Sequence, residues 1–227
     1  MSREHLTVTV VTRMNEGRRC VAAWSHNRGQ IVRPLPNGDY FSGPFLDKYG
    51  IVPGTKLWVD PIAIRARSFP HHNNDMGISK AGIEYENQGG NDWHTRLDMR
   101  PNETLEDCFE DRLETSSQYH GYRKVFVSGG TQCPSLGGVM TSTNNIVYFE
   151  ESFGGGPRKL RAKISIGLNR YNLPVTSHQL LTQYENVGVA VLNDEKSNFR
   201  QAHMRLGFAM PYGENRCALQ LNGVLLS

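Results

Sequence analysis

Short segments rich in Val, Ile, Tyr and Thr, cut apart by glycine and other turn residues, run along most of this chain. That punctuation constrains the fold more than any other feature, because strands of four to eight residues bounded by turn signals build antiparallel sheets and leave little room for long helices. Glycine is 23 of 227 residues, about a tenth, above the usual share of roughly 7%. Leu6–Thr12 alternates threonine with apolar residues and predicts a strand, paired as a hairpin with Cys20–Trp24 across the charged turn 15–19. Gly29–Pro34, Lys56–Asp60 and Ile62–Arg67 predict further short strands, and Leu35–Gly54 reads as loop. Strand signals return at Lys124–Val127, Asn145–Phe149, Leu160–Ile166, Gly188–Leu192 and Cys217–Leu226, with the triple glycine 154–156 as a hairpin turn.

Two helical patterns interrupt the strands. Glu103–Tyr119 sets Leu105, Cys108, Phe109 and Leu113 on one stripe against Glu106, Asp107, Glu110 and Asp111. Thr176–Val187 has capping-box spacing at Thr176 and Gln179 and an apolar stripe through Leu180, Leu181, Tyr184 and Val187. Each half therefore holds several short strands and one short helix. The reading is mostly β: two tandem small OB-like antiparallel β-barrels, 1–116 with a long polar loop and an acidic helix, and 117–227. A single larger sandwich is the competing layout.

The N-terminal residues Val11-Thr12-Arg13-Met14, Gly17-Arg18-Arg19-Cys20-Val21-Ala22 and Val32-Arg33-Pro34 resemble the opening of the dual-OB-domain family of bacterial proteins. Cys133-Pro134-Ser135-Leu136-Gly137 and Tyr171-Asn172-Leu173-Pro174-Val175-Thr176 extend the resemblance into the second half. Ile31 stands where that family has tryptophan, Ala23 where it has glycine, and Ser177-His178 where it has Asp-Pro. The resemblance implies two OB-type barrels and a nucleic-acid or nucleotide ligand, and it implies no catalytic set.

Charge distribution points the same way. The formal net charge of +3 is a remainder. Residues 1–36 carry six arginines against two acids, residues 156–170 carry five cations and no acid, and residues 81–115 carry ten acids against three arginines. Arginine's planar fork suits phosphate and stacks on bases. On a strand, Lys159, Arg161 and Lys163 share one face as a basic ladder. Grooves that track single strands combine such ladders with aromatic platforms. The expected interface is therefore Arg13, Arg18, Arg19, Arg33, Arg158, Arg161, Lys163 and Arg170, with Trp24, Tyr148 and Tyr171 as platforms and Tyr40 and Phe41 as further candidates. The competing view is a solvated face neutralised within the fold by the acidic block.

Other chemistry is less well supplied. Cys20, Cys108, Cys133 and Cys217 form no Cys-x-x-Cys pair, which argues against a zinc site or a disulfide scaffold. His71-His72-Asn73-Asn74-Asp75 has no zinc spacing, and adjacent histidines point apart, so no metal and no other cofactor is expected. Ser135 lies outside any Gly-x-Ser-x-Gly elbow and reads as a turn residue, and Cys20 as a small core residue. Two alternatives stay open. One is an enzyme acting on nucleotides or modified bases, with 67–100 as a lid and His94, Arg96 and Asp98 as the groups to test; the other is a subunit docking a protein partner through the acidic helix 103–114. No stretch has the length of a membrane helix and the N-terminus lacks a signal-peptide layout, so a cytoplasmic location is expected.

Overall fold

The structure, a computed structural model, describes residues 3–86, 104–116, 121–152, 155–211 and 213–227. The chain is mostly β and forms two tandem barrel-like units, Met1–Arg100 and Pro101–Ser227. The seam therefore precedes the acidic segment rather than following it at 116. The reason is packing: Leu105, Cys108 and Phe109 are buried in the core of the second unit.

In the first unit β1 (Glu4–Arg13) and β2 (Arg18–Ser25) form the expected hairpin, turned by Glu16 and Gly17 at positive φ. The unit continues with β3 (Gln30–Pro36), β4 (Phe41–Ser42), α1 (Gly43–Lys48), β5 (Lys56–Val59), β6 (Asp75–Ile78) and β7 (Glu84–Glu86). The sheet order is β6-β3-β2-β1-β5-β7, with β4 on β2, and β3 pairs β6 in parallel. Leu6, Val8, Val11, Val21, Ala23, Val32 and Leu57 point to one side and are buried there with Leu46 of α1. Ser42 caps α1 by accepting from the Phe45 N–H, and Pro44 suits its first turn, so a helix stands where loop was expected. The segment 62–67 carries no strand: only Pro61 bridges to Ile78.

In the second unit α2 (Leu105–Cys108) is a single turn and residues 109–116 are not helical; the rest of the segment expected as helix, 103 and 117–119, lies outside the described residues. Glu110 and Asp111 take positive φ and end α2, so of the four acids expected along a helix Glu106 and Asp107 stay on it and Glu110 and Asp111 sit in the turn after it. Then follow β8 (Glu114–Thr115), β9 (Val125–Ser128), β10 (Leu136–Ser142), β11 (Ile146–Glu151), β12 (Lys159–Ile166), β13 (Asn169–Pro174), α3 (His178–Ser197), β14 (Gln201–Phe208) and β15 (Arg216–Leu226). One sheet runs β10-β14-β15-β9-β8 and the other β11-β12-β13. Between them lie Val139, Ile146, Tyr148, Leu160, Ala162, Ile164, Leu173, Met204, Leu206 and Leu221.

The residues 188–192, expected as strand, belong to α3. Gly188 leaves the helical region at φ 81 and breaks α3 into two arms. The second arm is held by Asn193, whose side chain accepts from the Tyr148 N–H and donates to the Tyr148 carbonyl, and by Lys196, which donates to the Thr143 carbonyl at 2.7 Å. Asn193 thereby satisfies backbone groups on the outer edge of β11 that would otherwise invite another strand.

Candidate functional site

The basic ladder exists. Along β12, Leu160, Ala162 and Ile164 are buried, so Lys159, Arg161 and Lys163 stand on the opposite face. Register puts Glu151, Phe149 and Val147 beside them on β11, and Pro174, Asn172 and Arg170 on the β13 side, with Arg170 opposite Ser165. Lys163 Nζ lies 4.8 Å from the Phe149 ring centroid and 5.0 Å from that of Tyr122, so ammonium and two rings form one cluster. Val147 is 48% exposed next to it.

The ladder's cations divide into two kinds. Arg161 is committed: its Nε donates to Asn172 Oδ1 at 2.7 Å and pairs with Glu151 Oε2 at 2.8 Å, and its side chain is only 12% exposed. Burial lowers its pKa against the opposing pull of Glu151. Arg158 pairs with Glu150 at 2.8 Å, and Tyr184 donates to the same carboxylate; these hydrogen bonds hold Glu150 below the ordinary carboxylate range. Lys159, Lys163 and Arg170 make no ion pair among the described residues. The face thus presents three unneutralised cations around the half-buried Phe149 and Tyr122 rings and the exposed Val147.

Two expected platforms are elsewhere. Tyr148 and Tyr171 are 4% and 3% exposed, because they share the inward parity of Ile146 and Leu173. Neither can stack on a base. Parity along Ile146-Val147-Tyr148-Phe149 turns Phe149 outward instead, and that alternation was the available signal. Tyr122 had no such signal, since only the fold brings it to Lys163.

The arginines of the first unit are largely neutralised within it. Arg19 chelates Asp47, Arg18 reaches Glu16 and Asp39, Arg28 pairs with Glu4, and Arg3 with Asp60 and Glu84. Arg33 is buried at 3% exposure against Asp75 and is unavailable to a strand of nucleic acid. Burial opposes its charge, but Cys20 and Asp75 outweigh that and raise its pKa. Arg67 completes the set, 3.5 Å from Asp75 and donating to the Tyr40 hydroxyl at 2.5 Å while lying over its ring. Arg13 is half-buried.

On the outer face of this unit an aromatic row was missed: His26, His5 and Trp58 stack at 4.3 and 5.2 Å, with Trp24 one pair along, opposite Thr7. Glu84 and Glu86 flank it on β7. His94, Arg96 and Asp98 lie outside the described residues. Phe41 is buried.

No protein-family model matches the chain, and no curated protein matches it. Among solved structures, a murine DNA-binding protein bound with double-stranded DNA is similar at 10% identity, covering 100% of both chains at a TM-score of 0.34, a level that carries no argument about ligand. Among the described residues no helix is long and apolar enough to cross a membrane.

Proposed function

We propose that this chain is a binding module of the dual-OB-domain type that grips single-stranded nucleic acid on the outer face of β11-β12-β13. The observation that carries the reading is the Lys163 ammonium set between the Phe149 and Tyr122 rings, with Lys159 and Arg170 uncommitted on the same face. Rings supply sequence-tolerant stacking and the cations track phosphate. Arg161 acts as a strut: tied to Asn172 and Glu151, it holds β12 and β13 in register under the ligand. The aromatic row of the first unit is a second platform, beside which Glu84 is paired with Arg3 and Glu86 stands opposite Lys56.

The test is fluorescence anisotropy with a labelled single-stranded oligonucleotide at low salt. Binding that weakens steeply as salt rises, and that is lost in a folded Lys159→Glu/Lys163→Glu variant, supports the reading. Absence of binding by the parent, or equal binding by the variant, ends it.

A further inference from the structure

The first unit carries a half-open pocket of about 370 Å³ whose walls include Arg18, Asn37, Asp39, Tyr40, Phe45 and Lys80. Small-molecule sites fall in this range and combine apolar walls with a few placed polar groups. Here the polar groups are fixed by the fold. Asn37 sits at φ 51 in the turn after β3, and its Oδ1 accepts from the Lys80 N–H at 3.2 Å, which leaves its amide NH₂ to donate. Asp39 spends Oδ1 on Arg18 and on the Tyr40 N–H, leaving Oδ2 uncommitted among the described residues. The Lys80 ammonium makes no ion pair among the described residues.

The rings are fixed as well. Tyr40 is held by the Arg67 guanidinium, which bonds its hydroxyl and covers its ring at 4.5 Å. Phe45 is wedged between Phe41 and Tyr49, with centroids at 5.9 and 4.8 Å. A ligand that satisfies this set needs a flat ring for Tyr40 and Phe45, an acceptor for Asn37, a hydroxyl or amine for Asp39, and an anionic group for Lys80.

The geometry points to a nucleoside monophosphate as the occupant of this cavity: base against the rings, sugar hydroxyl or exocyclic amine at Asp39, phosphate at Lys80. A free phosphate lacks the ring, and a nucleoside lacks the charge. The site belongs to the other unit from the β11-β12-β13 face and stands whether or not that face binds a strand.

Isothermal titration of the full chain with AMP, GMP, CMP and UMP in turn tests it, with the matching nucleoside and inorganic phosphate as partial probes. At least one of the four is expected to bind, about tenfold or more tighter than either partial probe, and to lose about tenfold in both Lys80→Ala and Phe45→Leu. Lys163→Glu is expected to leave this affinity unchanged, which separates the cavity from the strand face. The inference is overturned if none of the four binds at millimolar concentration, or if inorganic phosphate binds as tightly as the nucleotide. Parental affinity in folded Lys80→Ala and Phe45→Leu, verified by thermal melting, or a loss in Lys163→Glu, overturns it equally.

Discussion

The Arg33 guanidinium stands 2.6 Å from the Asp75 carboxylate across the parallel pairing of β3 and β6, with both side chains only 3% exposed. Buried charges are tolerable only while each keeps an opposite charge beside it, and Arg67 stands as a second cation 3.5 Å from Asp75. Asp75→Asn removes the counter-charge and leaves Arg33 buried, so a loss of roughly 3–5 kcal/mol in urea unfolding is expected. The double variant Arg33→Met/Asp75→Leu should recover most of that loss. A single variant as stable as the parent would mean that the guanidinium escapes to water.

Tyr148 and Tyr171 make the protein sensitive to alkali. Burial holds Tyr148 far above the ordinary phenol range and, ahead of the nearby Glu106, pushes Tyr171 up to about 12. Their folded pKa values exceed the unfolded value near 10, so the unfolded chain releases these protons first. Stability is therefore unaffected below about pH 10 and falls as pH rises above it, by up to about 1.4 kcal/mol per pH unit for each tyrosine. Urea midpoints measured between pH 8 and pH 11.5 (roughly the span either side of the free phenol pKa) should show the fall, and Tyr148→Phe should make it shallower. A flat profile would place both phenols in water.

Strand content and the β1–β2 hairpin were legible because alternation in Leu6–Thr12 is a local property. The outward parity of Lys159, Arg161 and Lys163 was legible for the same reason. β10 and β14 were not: Ser135 read as a turn residue just ahead of β10, while Gly137 and Gly138 are glycines because Cys108 and His203 occupy the space a side chain would need. That requirement comes from residues about 30 and 65 positions away in sequence and leaves no local trace. Charge pairing was equally hidden. Arg18, Arg19 and Arg33 looked like a phosphate-binding block, while their partners Asp39, Asp47 and Asp75 arrive only through folding. The acidic pattern at 103–119 obeyed helical spacing, but Glu110 and Asp111 adopt a left-handed turn that amphipathicity does not encode.

Gly77 in β6 is required by close approach. A Cβ there would overlap the Ile64 side chain and stand 2.5 Å from the Ile62 carbonyl oxygen, which is backbone and cannot swing away. Gly77→Ala must therefore shift the strand or the 61–64 segment, and a loss of about 1–3 kcal/mol is expected. Gly29 is the control: it has φ 64 and nothing within 4 Å of a built Cβ, so Gly29→Ala carries only a backbone cost of about 1–2 kcal/mol. Urea unfolding with an added hydrogen-exchange readout on β3 and β6 distinguishes them. Loosened exchange at β6 is expected in Gly77→Ala alone, and identical exchange in both variants would contradict the clash.

Lys163 and Phe149 should fail in different ways if the β11-β12-β13 face binds single strands. Lys163→Gln removes one phosphate contact, so the slope of log affinity against log salt should shrink by about 0.7, with a uniform loss across sequences. Phe149→Leu keeps every charge and removes a stacking surface worth roughly 1–3 kcal/mol per base, so affinity should fall about tenfold or more at every salt concentration with the slope intact. Because the ammonium lies 4.8 Å from the ring, the two losses should not add: the double variant is expected to lose less than their sum. Anisotropy titrations of all four proteins across a salt series read slope and offset separately. A Phe149→Leu variant that changes the slope, or losses that add, would mean that the ring and the ammonium do not act on the strand as one cluster.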